Sequence, residues 1–437
     1  MDYLVKPVES IEGEIRVPGD KSITHRAIML ASIADGQSKL TGVLEGEDCL
    51  ATKEVFEHMG INFIKEGNDL IVKGVGINGL NEPMKALDFG NSGTGIRLCS
   101  GILIAQNFST KLIGDSSLSQ RPMSRIVEPL SLMGANISSN NGMLPLNIKP
   151  TQSLNGITFP LSIASAQVKS ALLLAGLYAD GYTEIKEDKI TRNHTETIFK
   201  EFGIPIEVNK TKNLRSIRVC KAEKIDSSDI NIPGDFSSAS FFILAALIAP
   251  KSHLLIKDVG INETRIGFLH AIRHMGAKID LLNVQTGTEP TADILIRASK
   301  LKGITLNTKL VANMIDEMPA FFIAASLAEG TTIVKGAEEL RSKESDRLQA
   351  MANALEALGV KHELNQDGMI IHGLGDDGEF MASEINSLGD HRIAMASSIA
   401  SLRANGEARV LDCDNVGTSF PNFVDICGDI GIKIQEE

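Results

Sequence analysis

Residues Glu14–Gly36 read EIRVPGDKSITHRAIMLASIADG. An extended stretch enters a Pro-Gly loop carrying Lys21, Ser22 and Arg26, and a helix of small and apolar residues runs to a closing glycine. The same grammar returns in LDFGNSGTGIRLCSGILIAQ (Leu87–Gln106), ITFPLSIASAQVKSALLLAGLYADG (Ile157–Gly181) and INIPGDFSSASFFILAALIA (Ile230–Ala249). It returns again in ITLNTKLVANMIDEMPAFFIAASLAEG (Ile304–Gly330) and EINSLGDHRIAMASSIASLRANG (Glu384–Gly406). The starts at 14, 87, 157, 230, 304 and 384 are spaced by 70 to 80 residues. A period of this length marks repeated supersecondary units.

Between these segments lie amphipathic stretches that end at a glycine: Thr52–Gly60, Arg125–Gly134, Thr195–Gly203, Thr264–Gly276 and Arg341–Gly359. Short alternating runs such as Asp69–Val72 and Asp293–Ile296 follow them and read as strands. Each unit is therefore strand, buried helix, strand, surface helix, strand, strand. The fold class is α/β (α+β), with six units shared between two domains. The natural division falls between the third and fourth units, near Ser228–Gly234.

The bulk numbers agree with two domains, since 437 residues are too many for one ordinary core. The formal charge of −12 argues against a nucleic-acid or anionic-membrane surface, so any anionic ligand needs locally concentrated cations. The five cysteines are scattered and contain no C-x-x-C pair, which indicates neither a disulfide framework nor a zinc site and fits a reducing cytosol. The first residues carry acids and no apolar run, unlike a signal peptide. The longest apolar run, Phe241–Ala249, is far short of the ~20 residues that span a bilayer.

A Ser/Gly-rich loop before a buried helix offers N–H groups to an anion, or else simply caps the helix. Lys21 and Arg26 are cations at such a helix start, where the macrodipole disfavours them; a bound anion would explain both. His25 beside them reads as structural. Phe89–Arg97 has the lightness of a phosphate loop but lacks the G-K-[ST] ending. Arg121 follows Ser119-Gln120, Ser165 can cap the third buried helix, Gln167 can reach a ligand, and Arg192 and Arg392 stand at further helix starts. Asp316 and Glu317 adjoin an apolar helix; desolvation there suits a general base, while helix-dipole complementarity is the alternative. Arg341–Arg347 reads RSKESDR. If it is helical from Leu340 onward, Lys343 and Arg347 share one face and Glu344 lies beside them, as acid–base work on an anion requires. Alone, it reads as a salt-bridged surface helix start.

Taken together, PGDKSITHR, FGNSGTGIRL, QRPM, ASAQVKSALLLAGL, MIDEMP, KESDRL, GDHRIAM and TSFP resemble the 5-enolpyruvylshikimate-3-phosphate synthases, the 3-phosphoshikimate 1-carboxyvinyltransferases of the shikimate pathway. The likeness runs from Pro18 to Pro421, and ASAQVKSALLLAGL, RNHTE and TSFP lean toward the branch that contains glyphosate-tolerant bacterial enzymes. It implies a two-domain inverse α/β barrel-like fold of six βαβαββ units, three per domain, with the active site in the interdomain cleft. The implied domains are 20–230 and 1–19 with 231–437. The implied reaction is addition of the 5-hydroxyl of shikimate 3-phosphate to C2 of phosphoenolpyruvate, with protonation at C3, followed by loss of phosphate. It breaks C–O rather than P–O and implies neither a metal nor a cofactor.

By that resemblance Lys21, Ser22, Arg26, Ser165, Ala166, Gln167, Arg192, Asp316 and Lys343 line the shikimate 3-phosphate side. Lys21, Gly93, Arg121, Gln167, Arg347 and Arg392 hold phosphoenolpyruvate. Asp316 is the base, Glu344 exchanges a proton at the enol methylene, and Lys21 and Lys343 assist. The resemblance also implies a cytoplasmic monomer with glyphosate as a possible inhibitor. Thr418 stands where enteric-type members carry lysine, Ala166 where some carry serine, and Gly93 where tolerant members carry alanine. The alternative, a UDP-N-acetylglucosamine 1-carboxyvinyltransferase, usually has Lys-Asn where Lys21-Ser22 stands and a catalytic cysteine near the QRP region. No cysteine lies between Ile113 and Met123.

Overall fold

The computed structural model describes residues 1–211 and 214–437. The chain forms two compact units, one of Gly19–Ile232 and one of Met1–Pro18 with Pro233–Glu437. Each has its own apolar core, built around three helices that are buried on all sides. In the Gly19–Ile232 unit these are Lys21–Ile33, Gly93–Leu103 and Ala166–Gly176. In the other they are Phe236–Ile248, Met318–Ser326 and His391–Ala400. All residues of Phe236–Ile248 are buried, as an all-round apolar helix requires. Serines survive inside such helices because Ser32, Ser100, Ser170, Ser326 and Ser398 each donate to the carbonyl four residues earlier. Among the described residues no helix is long and apolar enough to cross a membrane.

Among the described residues the repeat appears as six small sheets with one pairing rule. Leu87–Asp88 pairs parallel with Thr110–Ile113, which runs antiparallel to Met143–Lys149, itself antiparallel to Asn136–Asn140. Thr158–Pro160, Tyr182–Glu187, Arg215–Cys220 and Ile206–Lys210 repeat that order. The fifth repeat is the weakest: its first stretch contributes only isolated bridges, Lys302↔Glu329 and Thr305↔Ile333, to a three-stranded sheet. The reason is local, since Asn307 already caps a short helix, Thr308–Val311, immediately after.

Order along the chain and order in space part company at the first and fourth repeats. Glu12–Arg16 pairs parallel with His253–Gly260, while Ile230–Asn231 pairs parallel with Asp35–Thr41. Read linearly, Glu14–Gly36 is one unit; in space its strand and its helix belong to different compact units. Gly19 sits where the chain changes unit, and a Cβ there would lie 1.8 Å from the Gly42 carbonyl oxygen, so only glycine fits.

The stretch Leu340–Gly359 is not one helix. A 3₁₀ turn covers Glu338–Ser342, Lys343 is extended (φ −88°, ψ −154°), and the α-helix begins at Arg347. Asp346 supplies the break, because its carboxylate caps the new helix by accepting from the Gln349 N–H at 3.1 Å. The expected i,i+4 pairing of Lys343 with Arg347 is therefore absent, and both cations are placed by the loop instead.

Candidate active site

Five of the six buried helices have a side-chain cap at the N-terminus, and the fifth, Met318–Ser326, has none. Asp20, Asp235 and Asp390 cap the first, fourth and sixth buried helices through their carboxylates, and Ser92 and Ser165 cap the second and third through hydroxyls. At three of the six, the protein's own negative charge already occupies the dipole's positive end. Of the two readings that the sequence left open, capping holds at five of the six helix starts, and side-chain cations supply attraction for an anion.

Those cations cluster in each unit separately. In the unit of Met1–Pro18 and Pro233–Glu437, Asp316 is the focus. Arg347 Nη1 donates to Asp316 Oδ1 at 3.3 Å, Lys343 Nζ lies 3.9 Å from that oxygen, and Arg392 Nε lies 4.0 Å from it. Arg392 Nη1 also donates to the Asp316 carbonyl at 3.2 Å. Arg347 is 1% exposed and is gripped from behind by Asp390, its Nε donating at 2.8 Å and its Nη2 at 3.3 Å. The same Nη2 donates to Glu344 at 2.5 Å. Burial works against the charge on Arg347, but Asp390, Glu344 and Asp316 outweigh it and hold the guanidinium above its ordinary value. Three cations thus face three carboxylates, with Arg347 fixed by the buried Asp390 and Glu344 beside its outer edge.

In the Gly19–Ile232 unit, Lys21 Nζ pairs with Asp48 at 2.9 Å. Ser22 follows in the same turn, and its carbonyl accepts from Arg26 Nη1 at 2.8 Å. Arg26 is buried, with Nε donating to Thr195 Oγ1 at 2.8 Å and Nη2 to Ser170 Oγ at 2.7 Å. Protein hydroxyls and a carbonyl therefore account for much of Arg26, which sequence had left to a bound anion.

His25 is wholly buried and ties its own helix start to the middle of the helix Glu47–His58 and to the start of Gly93–Leu103. Its Nδ1 lies 2.8 Å from Thr52 Oγ1 and its Nε2 lies 3.4 Å from Ser92 Oγ, the cap of the glycine loop. Burial first, and then Lys21 and Arg26, push its pKa down to about 3, so the ring is neutral at pH 7. This cluster explains Gly95, where a Cβ would lie 2.6 Å from Thr52 Oγ1.

Gly93 opens the second buried helix beneath two guanidiniums, and a Cβ on it would lie 3.0 Å from Arg97 Nη1 and 3.2 Å from Arg121 Nη1. Arg121 donates through Nη2 to Asn91 Oδ1 at 2.6 Å and to Ser117 Oγ at 3.1 Å. Gln167 has its amide pinned, accepting from Arg97 Nη1 at 2.7 Å and donating to Thr94 Oγ1 at 3.0 Å. Ser165 accepts from the Val168 N–H at 3.4 Å, Ala166 is the first residue of that helix, and Arg192 lies half-buried before the helix His194–Glu201. Thr418 is buried and donates to the Asn415 carbonyl at 2.7 Å.

Within each unit the named residues thus gather: Lys21, Ser22 and Arg26 around one helix start, Gly93, Arg121 and Gln167 around another, and Asp316, Lys343, Glu344, Arg347 and Arg392 in a third set. Sequence reasoning missed Asp48, Arg97 and Asp390. Arg97 closes the FGNSGTGIR loop and Asp390 lies in GDHR, so both were within recognised motifs. Asp48 carried no local signal, since its partner lies 27 residues away.

The family model for EPSP synthase (3-phosphoshikimate 1-carboxyvinyltransferase) matches residues 5–427. The chain belongs to the EPSP synthase family. It is 51% identical over 436 residues to the 3-phosphoshikimate 1-carboxyvinyltransferase of Ruthia magnifica subsp. Calyptogena magnifica, covering 99% of this chain and 98% of that one. It is 48% identical over 438 residues to the enzyme of that name from Coxiella burnetii (strain RSA 493 / Nine Mile phase I), covering 100% and 98%. The EPSP synthase from Acinetobacter baumannii superposes with a TM-score of 0.87 at 42% identity, covering all of both chains. The enolpyruvyl transferase NikO from Streptomyces tendae, at 15% identity and a TM-score of 0.79 over 99% of this chain and 98% of that one, shares the fold alone.

Proposed function

We propose that the protein transfers the carboxyvinyl group of phosphoenolpyruvate to the 5-hydroxyl of shikimate 3-phosphate, releasing phosphate. The observation that carries this reading is the convergence of Lys343, Arg347 and Arg392 on Asp316, with Glu344 at the Arg347 edge, in a chain of the EPSP synthase family. Lys21, Ser22, Arg26, Ser165, Ala166, Gln167, Arg192, Asp316 and Lys343 hold shikimate 3-phosphate. Lys21, Gly93, Arg121, Gln167, Arg347 and Arg392 hold phosphoenolpyruvate.

Asp316 takes the proton of the 5-hydroxyl as its oxygen bonds to C2, while Glu344 delivers a proton to C3. The tetrahedral intermediate then breaks its C2–O bond to phosphate, whose leaving oxygen carries off the proton that Asp316 took, and Glu344 takes back a proton from C3. Before substrate arrives, the cations are engaged by the protein's own carboxylates. An incoming phosphate or carboxylate competes for them and loosens their hold on Asp316 and Glu344, which makes both better proton acceptors. Fixed cations facing developing charge supply the electrostatic stabilisation.

The protein works as a cytoplasmic monomer, and Gly93, with no side chain to crowd phosphoenolpyruvate, leaves room for glyphosate as an inhibitor. The test is phosphate release from phosphoenolpyruvate with shikimate 3-phosphate or UDP-N-acetylglucosamine as acceptor. Release with the first alone is expected; release only with the second, or with neither, refutes the reading.

A further inference from the structure

This inference rests on the proposed function, in which Arg192 and Arg26 grip shikimate 3-phosphate. Arg192 lies in the connection from the strand Tyr182–Glu187 to the helix His194–Glu201. Behind that connection sit four charged side chains almost without solvent access: Lys169 and Glu187 at 0%, Glu196 at 3% and Arg215 at 10% exposure. Lys169 Nζ donates to Glu196 Oε1 at 2.9 Å and lies 3.4 Å from both Glu187 Oε2 and the Thr191 carbonyl. Arg215 Nη1 donates to Glu187 Oε1 at 2.7 Å and lies 3.1 Å from Glu196 Oε1. Two cations and two carboxylates leave the set neutral. The Thr191 hydroxyl and N–H both donate to Glu187 Oε2, at 2.8 and 3.3 Å.

These contacts hold the connection at three points: Glu187 ends the strand, Thr191 immediately precedes Arg192, and Glu196 lies in the first turn of the following helix. The chain neighbours of Lys169 and Glu196, Ser170 and Thr195, bond each other at 2.7 Å and hold Arg26. Both arginines of the shikimate 3-phosphate side therefore hang on the seam that Lys169 closes, whereas Arg121 is held by Asn91 and Ser117. Buried ion pairs add little stability over well-packed apolar residues; what they supply is a directional hold on particular backbone positions. We propose that Lys169, acting with Glu187, Glu196 and Arg215, is a positioning residue that sets Arg192 and Arg26 for the phosphate of shikimate 3-phosphate without touching substrate.

Phosphate-release kinetics on the full chain test this with K169M, K169R and T191V. A displacement of about 1 Å at a positioned group can lower turnover efficiency ~100-fold. K169M is therefore expected to raise KM for shikimate 3-phosphate about 10-fold or more, to leave KM for phosphoenolpyruvate within about twofold, and to be largely rescued by K169R. A parallel rise in both KM values, or no change in a folded variant, overturns the proposal. Should K169M fail to fold, T191V keeps all four charges, removes only the hydroxyl donated to Glu187, and must show the same selectivity. Wild-type turnover in the same assay separates the two readings: its absence refutes the function and this inference with it, whereas its presence leaves the variant pattern to judge the inference alone.

Discussion

His25 makes the stability of the Gly19–Ile232 unit sensitive to mild acid. In the unfolded chain the ring takes up a proton near its ordinary value of 6.5, but in the fold it does so only near 3. Between those values the unfolded state binds more protons. The stabilisation is therefore complete above 6.5 and is lost as the pH falls toward 3, at about 1.4 kcal/mol per pH unit. Between pH 7 and pH 5 the loss comes to about 2 kcal/mol. It changes little for any folded value below about 4, because at pH 5 the folded ring is then still almost wholly neutral. Physically, protonation would place a third cation beside Lys21 and Arg26 in a site without solvent, and would force both ring nitrogens to donate to Thr52 and Ser92. The comparison is wild type against H25N, which keeps a polar side chain but cannot titrate. Amide hydrogen exchange across Lys21–Ile33, corrected for intrinsic rates, reads the opening free energy at each pH. The advantage of wild type over H25N should shrink by about 2 kcal/mol from pH 7 to pH 5. A change below about 0.5 kcal/mol, or an NMR titration of His25 near 6.5, would refute the reasoning.

D316N and E344Q should each lower kcat by about 100-fold or more while calorimetry still detects both substrates, the usual scale for removing a general acid or base; near-normal turnover removes that residue from the chemistry. R347M should destabilise its unit by about 3–5 kcal/mol in denaturant unfolding, because Asp390, 0% exposed, is left buried without its guanidinium. A loss under about 1 kcal/mol would show that Asp390 is satisfied elsewhere. G93A puts a Cβ 3.0 Å from Arg97 Nη1 and 3.2 Å from Arg121 Nη1, so KM for phosphoenolpyruvate should rise several-fold; a smaller shift in KM for shikimate 3-phosphate marks Arg121 as the residue displaced, whereas equal shifts point to Arg97, which holds Gln167.

The sequence by itself determined the repeat, because helix and strand periods and their glycine stops are local properties. It also determined the motif residues, because caps, small residues and charges at helix starts are read within a few positions. RSKESDR shows the limit. Its charges suited a continuous helix, yet Asp346 caps a new helix and leaves Lys343 extended. That choice depends on where Arg347 finds its carboxylate, and Asp390 lies 43 residues away. The exchange of first strands between the first and fourth repeats is likewise invisible locally: Glu12–Arg16 and Ile230–Asn231 carry the same pattern, and only long-range pairing decides which sheet each joins. The Lys169 set follows the same rule. A lysine inside an apolar helix reads as an exposed charge until the fold brings Glu187, Glu196 and Arg215 around it from 18 to 46 residues farther along the chain. Tertiary structure alone decides such partners, because a buried charge is tolerable only where the finished fold supplies its complement.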